Sequence, residues 1–155
     1  MEFKAFEEFV YIMLVNASQA AYHEEAHTTH TLLSNLNVFY KYMIKDDECS
    51  LLSEEMDALK HYYKIQNVRY GNRFEISING CFEEDVFIDH ASIIAFIDYT
   101  LVSLLNRHED FFWMNLSIVI KESTILLEAL VETEGKKEFH SKSFAKRGGR
   151  LCTNS

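Results

Sequence analysis

The 155-residue chain contains no proline. Average usage is about 5%, and proline removes a helical N–H and clashes with the preceding turn. Its absence permits long uninterrupted helices. Cysteine is nearly absent as well. Cys49, Cys81 and Cys152 are odd in number, far apart and form no CxxC pair, which reads as reduced thiols in a cytoplasmic compartment. No apolar run reaches the ~18–20 residues of a membrane span, so no membrane insertion is expected. The opening MEFKAFEEF is acidic, not the basic-then-apolar pattern of a signal peptide. Internal repeats and low-complexity segments are missing too.

Positive charge is scarce and confined to one end. The formal net charge is -9. From position 136 onward, Lys136, Lys137, Lys142, Lys146, Arg147 and Arg150 face only Glu138, a local +5 that leaves -14 for residues 1–135. An acidic body repels phosphates and excludes nucleic acid as the main partner. The hydrophobic fraction is 48% and the charged fraction 25%, ordinary for a globular chain with a real core. Twelve Phe and eight Tyr supply large buriable rings.

Periodicity divides the chain. Phe3, Phe6, Val10, Met13, Leu14 and Ala17 recur at three- and four-residue steps and predict a helix over 2–21. Leu32, Leu33, Leu36, Phe39, Tyr40 and Met43 predict a second over 24–44, and the short junction favours an antiparallel hairpin. A third helix begins near Ser53, with Glu54 and Glu55 in its positively polarised first turn, and stops at Gly71. The period then becomes two: Phe74, Ile76 and Ile78 alternate with polar residues in a half-buried strand. Residues 90–106 read as a buried helix, and 114–120 with 124–131 as a hairpin turning at Lys121-Glu122-Ser123. After Thr133 the chain is polar and basic and reads as frayed. The fold class is α+β, with a helical hairpin over 1–50, a small α/β layer over 51–135 and a basic flexible tail over 136–155.

The block from Leu52 to Ile76 carries Glu54, Glu55, Tyr62, Ile65, Gln66, Arg69, Tyr70, Gly71, Arg73 and Phe74 at fixed spacing. It resembles the segment "L-x-E-E-L…Y-L-x-I-Q…R-[FY]-G-x-R-[FL]" of the LytS/YesM-type sensor histidine kinases, which joins their dimerisation helices to an ATP-binding domain. Leu36 to Met43 resembles the end of the second dimerisation helix. The resemblance spans roughly residues 5–135. It implies a hairpin that dimerises into a four-helix bundle, followed by a reduced ATPase-like layer, with no sensor part in this chain.

Measured against that family, the chemistry is missing. Glu8 stands where the phosphoaccepting histidine belongs, and a carboxylate cannot form a phosphohistidine. In the segment matching the N-box, Asp98 keeps an acidic place, but Tyr99 replaces the magnesium-holding asparagine and is a poor ligand for a hard cation. Leu130 to Gly135 is the nearest match to the glycine-containing adenine loop and leads into charge, with Gly148 and Gly149 too far on. The resemblance therefore implies a catalytically degenerate pseudokinase needing no cofactor. It would be a homodimer that tunes two-component signalling by engaging a response regulator or a partner histidine kinase. The expected docking surface is Glu7, Glu8, Tyr11 and Ile12.

Two other chemistries compete. His23-Glu24-Glu25-Ala26-His27 fits HExxH, in which two histidines one helical turn apart hold zinc and the glutamate is the base; His30 extends the set. The weightier reading is solvated residues at the hairpin tip, with His23, His27 and His30 as weak metal candidates at most. The other alternative is a phosphotransferase using a different histidine, with His23, His27, His30 and His61 available. Each is more often an ordinary surface histidine, and no sequence neighbour fixes an acidic partner for His61.

Overall fold

The computed structural model describes residues 3–80 and 86–148. The fold is α+β, with the N-terminal helices followed by a sheet region. The chain divides into two compact units, Met1–Asp46 with Asp57–Arg69, and Asp47–Met56 with Tyr70–Ser155.

The first unit is a helical hairpin plus part of a third helix. Helices α1 (Phe3–His23) and α2 (His27–Met43) follow the apolar spacing closely. Between them Glu25 adopts a left-handed φ of 59°, and Ala26 N–H returns to the Ala21 carbonyl at 2.9 Å. The helices run antiparallel. Tyr40 Oη donates to the Glu7 carbonyl at 3.3 Å near one end, and Ser18 Oγ lies 3.0 Å from Ser34 Oγ toward the other. The unit also contains α3 (Leu52–Arg69) from Asp57 onward. Its buried Tyr62 packs against Phe39 with ring centroids 5.5 Å apart.

The second unit holds β1 (Cys49–Leu51), the first turn of α3, β2 (Phe74–Asn79), β3 (Phe87–Asp89), α4 (Ser92–Arg107), β4 (Phe112–Ile120), β5 (Thr124–Thr133) and β6 (Lys136–Ala145). Four strands form a sheet of order β2-β4-β5-β6, and β1 pairs antiparallel with β3. Strands β2 and β4 are parallel, so the chain must cross over between them, and α4 lies in that crossover. The remaining pairs are antiparallel. Alternation fixes the inner face: Phe74, Phe112, Met114, Leu116, Ile125, Leu127 and Ala129 are buried, as are Ile93, Ile97, Leu101 and Leu104 of α4. Each such large side chain contributes about 1.5–3 kcal/mol when fully buried.

Two expectations need correction. Residues 134–145 do not fray. Glu134 and Gly135 make a tight turn, with Gly135 at φ 82°, and Lys136–Ala145 pairs with all of β5. Only Phe144 of this strand is buried, so main-chain pairing holds it, not an apolar alternation visible in sequence. Its lysines suit an edge strand, because charge discourages pairing with another chain. Second, Cys49 is disulfide-bonded, against the expectation of reduced thiols; separation along the chain says little about separation in space. Cys81 and Cys152 lie outside the described residues.

Candidate functional site

The expected docking surface lies on α1. Positions 7, 8, 11 and 12 occupy consecutive turns, with 7 and 11, and 8 and 12, one turn apart. Glu7 and Tyr11 are half-buried and Ile12 is 47% exposed; the side chain of Glu8 lies outside the described residues. The described large apolar side chains of α1 are Val10, Tyr11, Ile12, Met13, Leu14, Val15 and Tyr22, and none of them is buried. The buried positions are the small Ser18 and Ala21. In the second unit, by contrast, nearly the whole inner face of β4 and β5 is closed to water.

The HExxH reading does not survive the fold. His23 is the last residue of α1 and His27 the first of α2, so the two imidazoles do not share a helix face. A helical spacing argument fails when a turn interrupts the helix. Among the described residues no group of three or more His, Cys, Asp and Glu could hold a metal ion. His30 behaves differently: its Nδ1 lies 3.0 Å from the Ser18 carbonyl oxygen and 3.1 Å from Ser18 Oγ. His61 has partners that its sequence neighbours did not advertise. Its Nδ1 lies 2.8 Å from Asn35 Oδ1, and its Nε2 is 3.8 Å from the exposed Asp57 carboxylate. Asn35 is 7% exposed and donates to the Thr31 carbonyl at 2.7 Å.

In the second unit the motif residues gather around α4. Glu55 is fully buried; its Oε1 accepts from Ile93 N–H at 2.6 Å and Ile94 N–H at 3.1 Å, and its Oε2 from Ser50 Oγ at 3.3 Å. Ala91, at the N-cap of α4, has φ 56° and offers no side-chain cap. The carboxylate therefore satisfies orphan N–H groups at the positive end of the helix. At the other end Arg73 donates to the carbonyls of His108 and Leu105. A carboxylate and a guanidinium thus bracket α4 in the sense its dipole favours. The spacing of Glu55 and Arg73 was legible in sequence, whereas their shared target was not.

Asp98 and Tyr99 both fall on α4. Asp98 is half-buried and Tyr99 is 76% exposed, on the side away from the buried Ile94, Ile97, Leu101 stripe. The segment matched to the adenine loop is the end of β5 and its tight turn. Past that turn, Glu138 on β6 pairs with Arg107 at 3.1 Å, His108 at 3.3 Å and His140 at 3.6 Å. Desolvation raises the Glu138 pKa, but attraction and a hydrogen bond from Arg107, helped by His108, outweigh it and hold the carboxyl below its ordinary value. No sequence signal pointed to this cluster, since Glu138 lies 31 and 30 residues along the chain from Arg107 and His108.

These features describe an α+β protein with an incompletely buried helical hairpin and a four-stranded sheet unit whose helix is charge-capped at both ends. A family model described as histidine kinase matches residues 7–74, covering α1, α2 and α3 and reaching the first residue of β2. That match supports kinship with a histidine kinase family over this segment. No curated protein matches the chain.

Proposed function

We propose that this is a histidine-kinase-like protein of the LytS/YesM type that has lost kinase chemistry and regulates two-component signalling by binding. The observation that carries the reading is the state of α1. A 21-residue helix with no described large apolar side chain buried is a surface built to be covered. In this reading a second copy pairs with the hairpin to form a four-helix bundle. A response regulator or partner kinase then docks beside Glu7, Glu8, Tyr11 and Ile12. Loss of chemistry is supported by Glu8 and Tyr99 at the positions where the family places its histidine and asparagine, and by a tight β-turn where it places a glycine-containing loop. The cytoplasmic location expected from the sequence belongs to this reading, and the Cys49 disulfide runs against it.

The test is calorimetric titration with Mg-ATP alongside sedimentation of the purified chain. The reading expects a dimer at micromolar concentration and no heat of nucleotide binding. A monomer removes the bundle, and clear micromolar ATP affinity removes the pseudokinase.

A further inference from the structure

The outer face of the four-stranded sheet carries an order that no single strand shows. Along β4 and β5 alternate side chains enter the core, so the intervening ones share the opposite face. Strand register sorts that face into rows. One row sets Trp113 between Glu75 and Glu132, with Lys137 beyond. The next sets Leu130 between Asn115 and Phe139. The third sets Ser117 between Asn79 and Glu128. A cleft of about 280 Å³ opens over the second and third rows, lined by Asn79, Asn115, Ser117, Glu128, Leu130 and Phe139.

A solvated face accounts for the polar rows. It does not account for Leu130 beside a Phe139 that is 76% exposed, with the half-exposed Trp113 one row away. Among the described residues Glu75 and Glu128 have no hydrogen bond or ion pair, and Phe139 has no ring contact. The single ammonium of the three rows, Lys137, is committed to Glu132 at 2.5 Å. Three carboxylates against one engaged lysine repel an anionic ligand, and also a second copy of the same face. A neutral apolar ligand would desolvate Glu128 without pairing it.

A cation fits both outer rows. In the third row the Glu128 carboxylate, the Asn79 amide oxygen and the Ser117 hydroxyl match the three N–H donors of a primary ammonium. In the first row the Trp113 ring lies between two carboxylates, a setting that favours a cation over its face. The two rows are four residues apart along β5, about 14 Å at strand rise. An extended tetraamine spans that separation and a short diamine does not. Between the rows, Leu130 and Phe139 offer an apolar bed for methylenes.

We infer that this face binds a linear aliphatic polyamine. One ammonium sits at Glu128, the methylenes cross Leu130 against Phe139, and a distal ammonium lies over Trp113 beside Glu75. The inference rests on sheet register and stands or falls apart from the binding role proposed above.

The experiment titrates the full chain with spermine, cadaverine, magnesium ion and pentalysine, read by calorimetry and by Trp113 fluorescence. Spermine is expected to saturate a single site and to perturb the fluorescence. It should bind at least about tenfold tighter than cadaverine or magnesium, the worth of a second charged contact. Glu128→Gln should weaken spermine about tenfold or more, and Phe139→Ser about threefold. Glu109→Gln, which removes an exposed charge from the loop before β4, should change nothing. All three altered side chains are exposed, so the fold survives the changes. No saturable binding, magnesium as tight as spermine, or equal weakening by Glu109→Gln and Glu128→Gln overturns the inference. Pentalysine binding tighter than spermine overturns it too, by making the face a protein-docking surface.

Discussion

The sharpest test of how the second unit is held together is removal of the Glu55 carboxylate. Its side chain is inaccessible to water and bonds Ile93 N–H, Ile94 N–H and Ser50 Oγ. In Glu55→Ala, two main-chain donors at the start of α4 lose their acceptor in a site that water does not reach, each costing about 1–3 kcal/mol. The loss of a favourable charge at a helix N-terminus adds about 0.3–1 kcal/mol or more. Against this, the folded protein no longer has to keep a carboxylate away from water. The net expectation is a loss of about 3 kcal/mol, a large part of the ~5–15 kcal/mol that holds a typical domain. Glu55→Gln keeps an oxygen facing both N–H groups and should lose only about 1 kcal/mol. The chain has a single tryptophan, Trp113, on β4 in the same unit, so its fluorescence reports the unfolding that matters. With a urea slope of ~1–3 kcal/mol/M, the Ala variant should unfold about 1–2 M earlier than the parent. Equal midpoints for Ala and parent, or a Gln variant as weak as Ala, would refute the capping argument.

Three further outcomes follow from the same geometry. Arg73→Ala removes the cation from the C-terminal end of α4 and should cost about 1–2 kcal/mol, read from the same Trp113 transition; no measurable shift would mean that water replaces the guanidinium without loss. Glu138 has its pKa held below the ordinary value, so its contribution is present above the unfolded value near 4.5 and lost as pH falls through the folded one. Stability of the parent should therefore decline through that acid range more steeply than stability of Glu138→Gln, and parallel pH profiles would contradict the assignment. Ile12→Glu combined with Met13→Glu places two charges on the exposed stripe of α1 and should convert a dimer to monomer in sedimentation while leaving the Trp113 transition unmoved. Loss of that transition would instead make the stripe part of the chain's own core.

Much of the architecture was written locally. The three-and-four spacing of α1 and α2, the two-residue alternation beginning at Phe74, and the β4–β5 turn at Lys121-Glu122-Ser123 all reflect one face buried and one wet, and such patterns survive in the sequence. What was not legible depended on partners far along the chain. Lys136–Ala145 carries little apolar alternation because an edge strand is held by ladder bonds to β5. The HExxH spacing looked helical because a regular spacing does not show where a helix ends. His61 found Asn35 and Glu138 found Arg107 across 26 and 31 residues, separations at which sequence reasoning has no handle.

The block from Glu54 to Phe74 shows the division most clearly. Sequence alone determined that its charged residues sit at fixed spacing and that its helix ends near Gly71. Only the tertiary structure decided why two of those charges matter: Glu55 and Arg73 reach the opposite ends of a helix that begins 37 and 19 residues later. Helix spacing arises from neighbours along the chain, whereas an orphaned N–H or C=O is satisfied by whatever the fold brings within hydrogen-bonding distance.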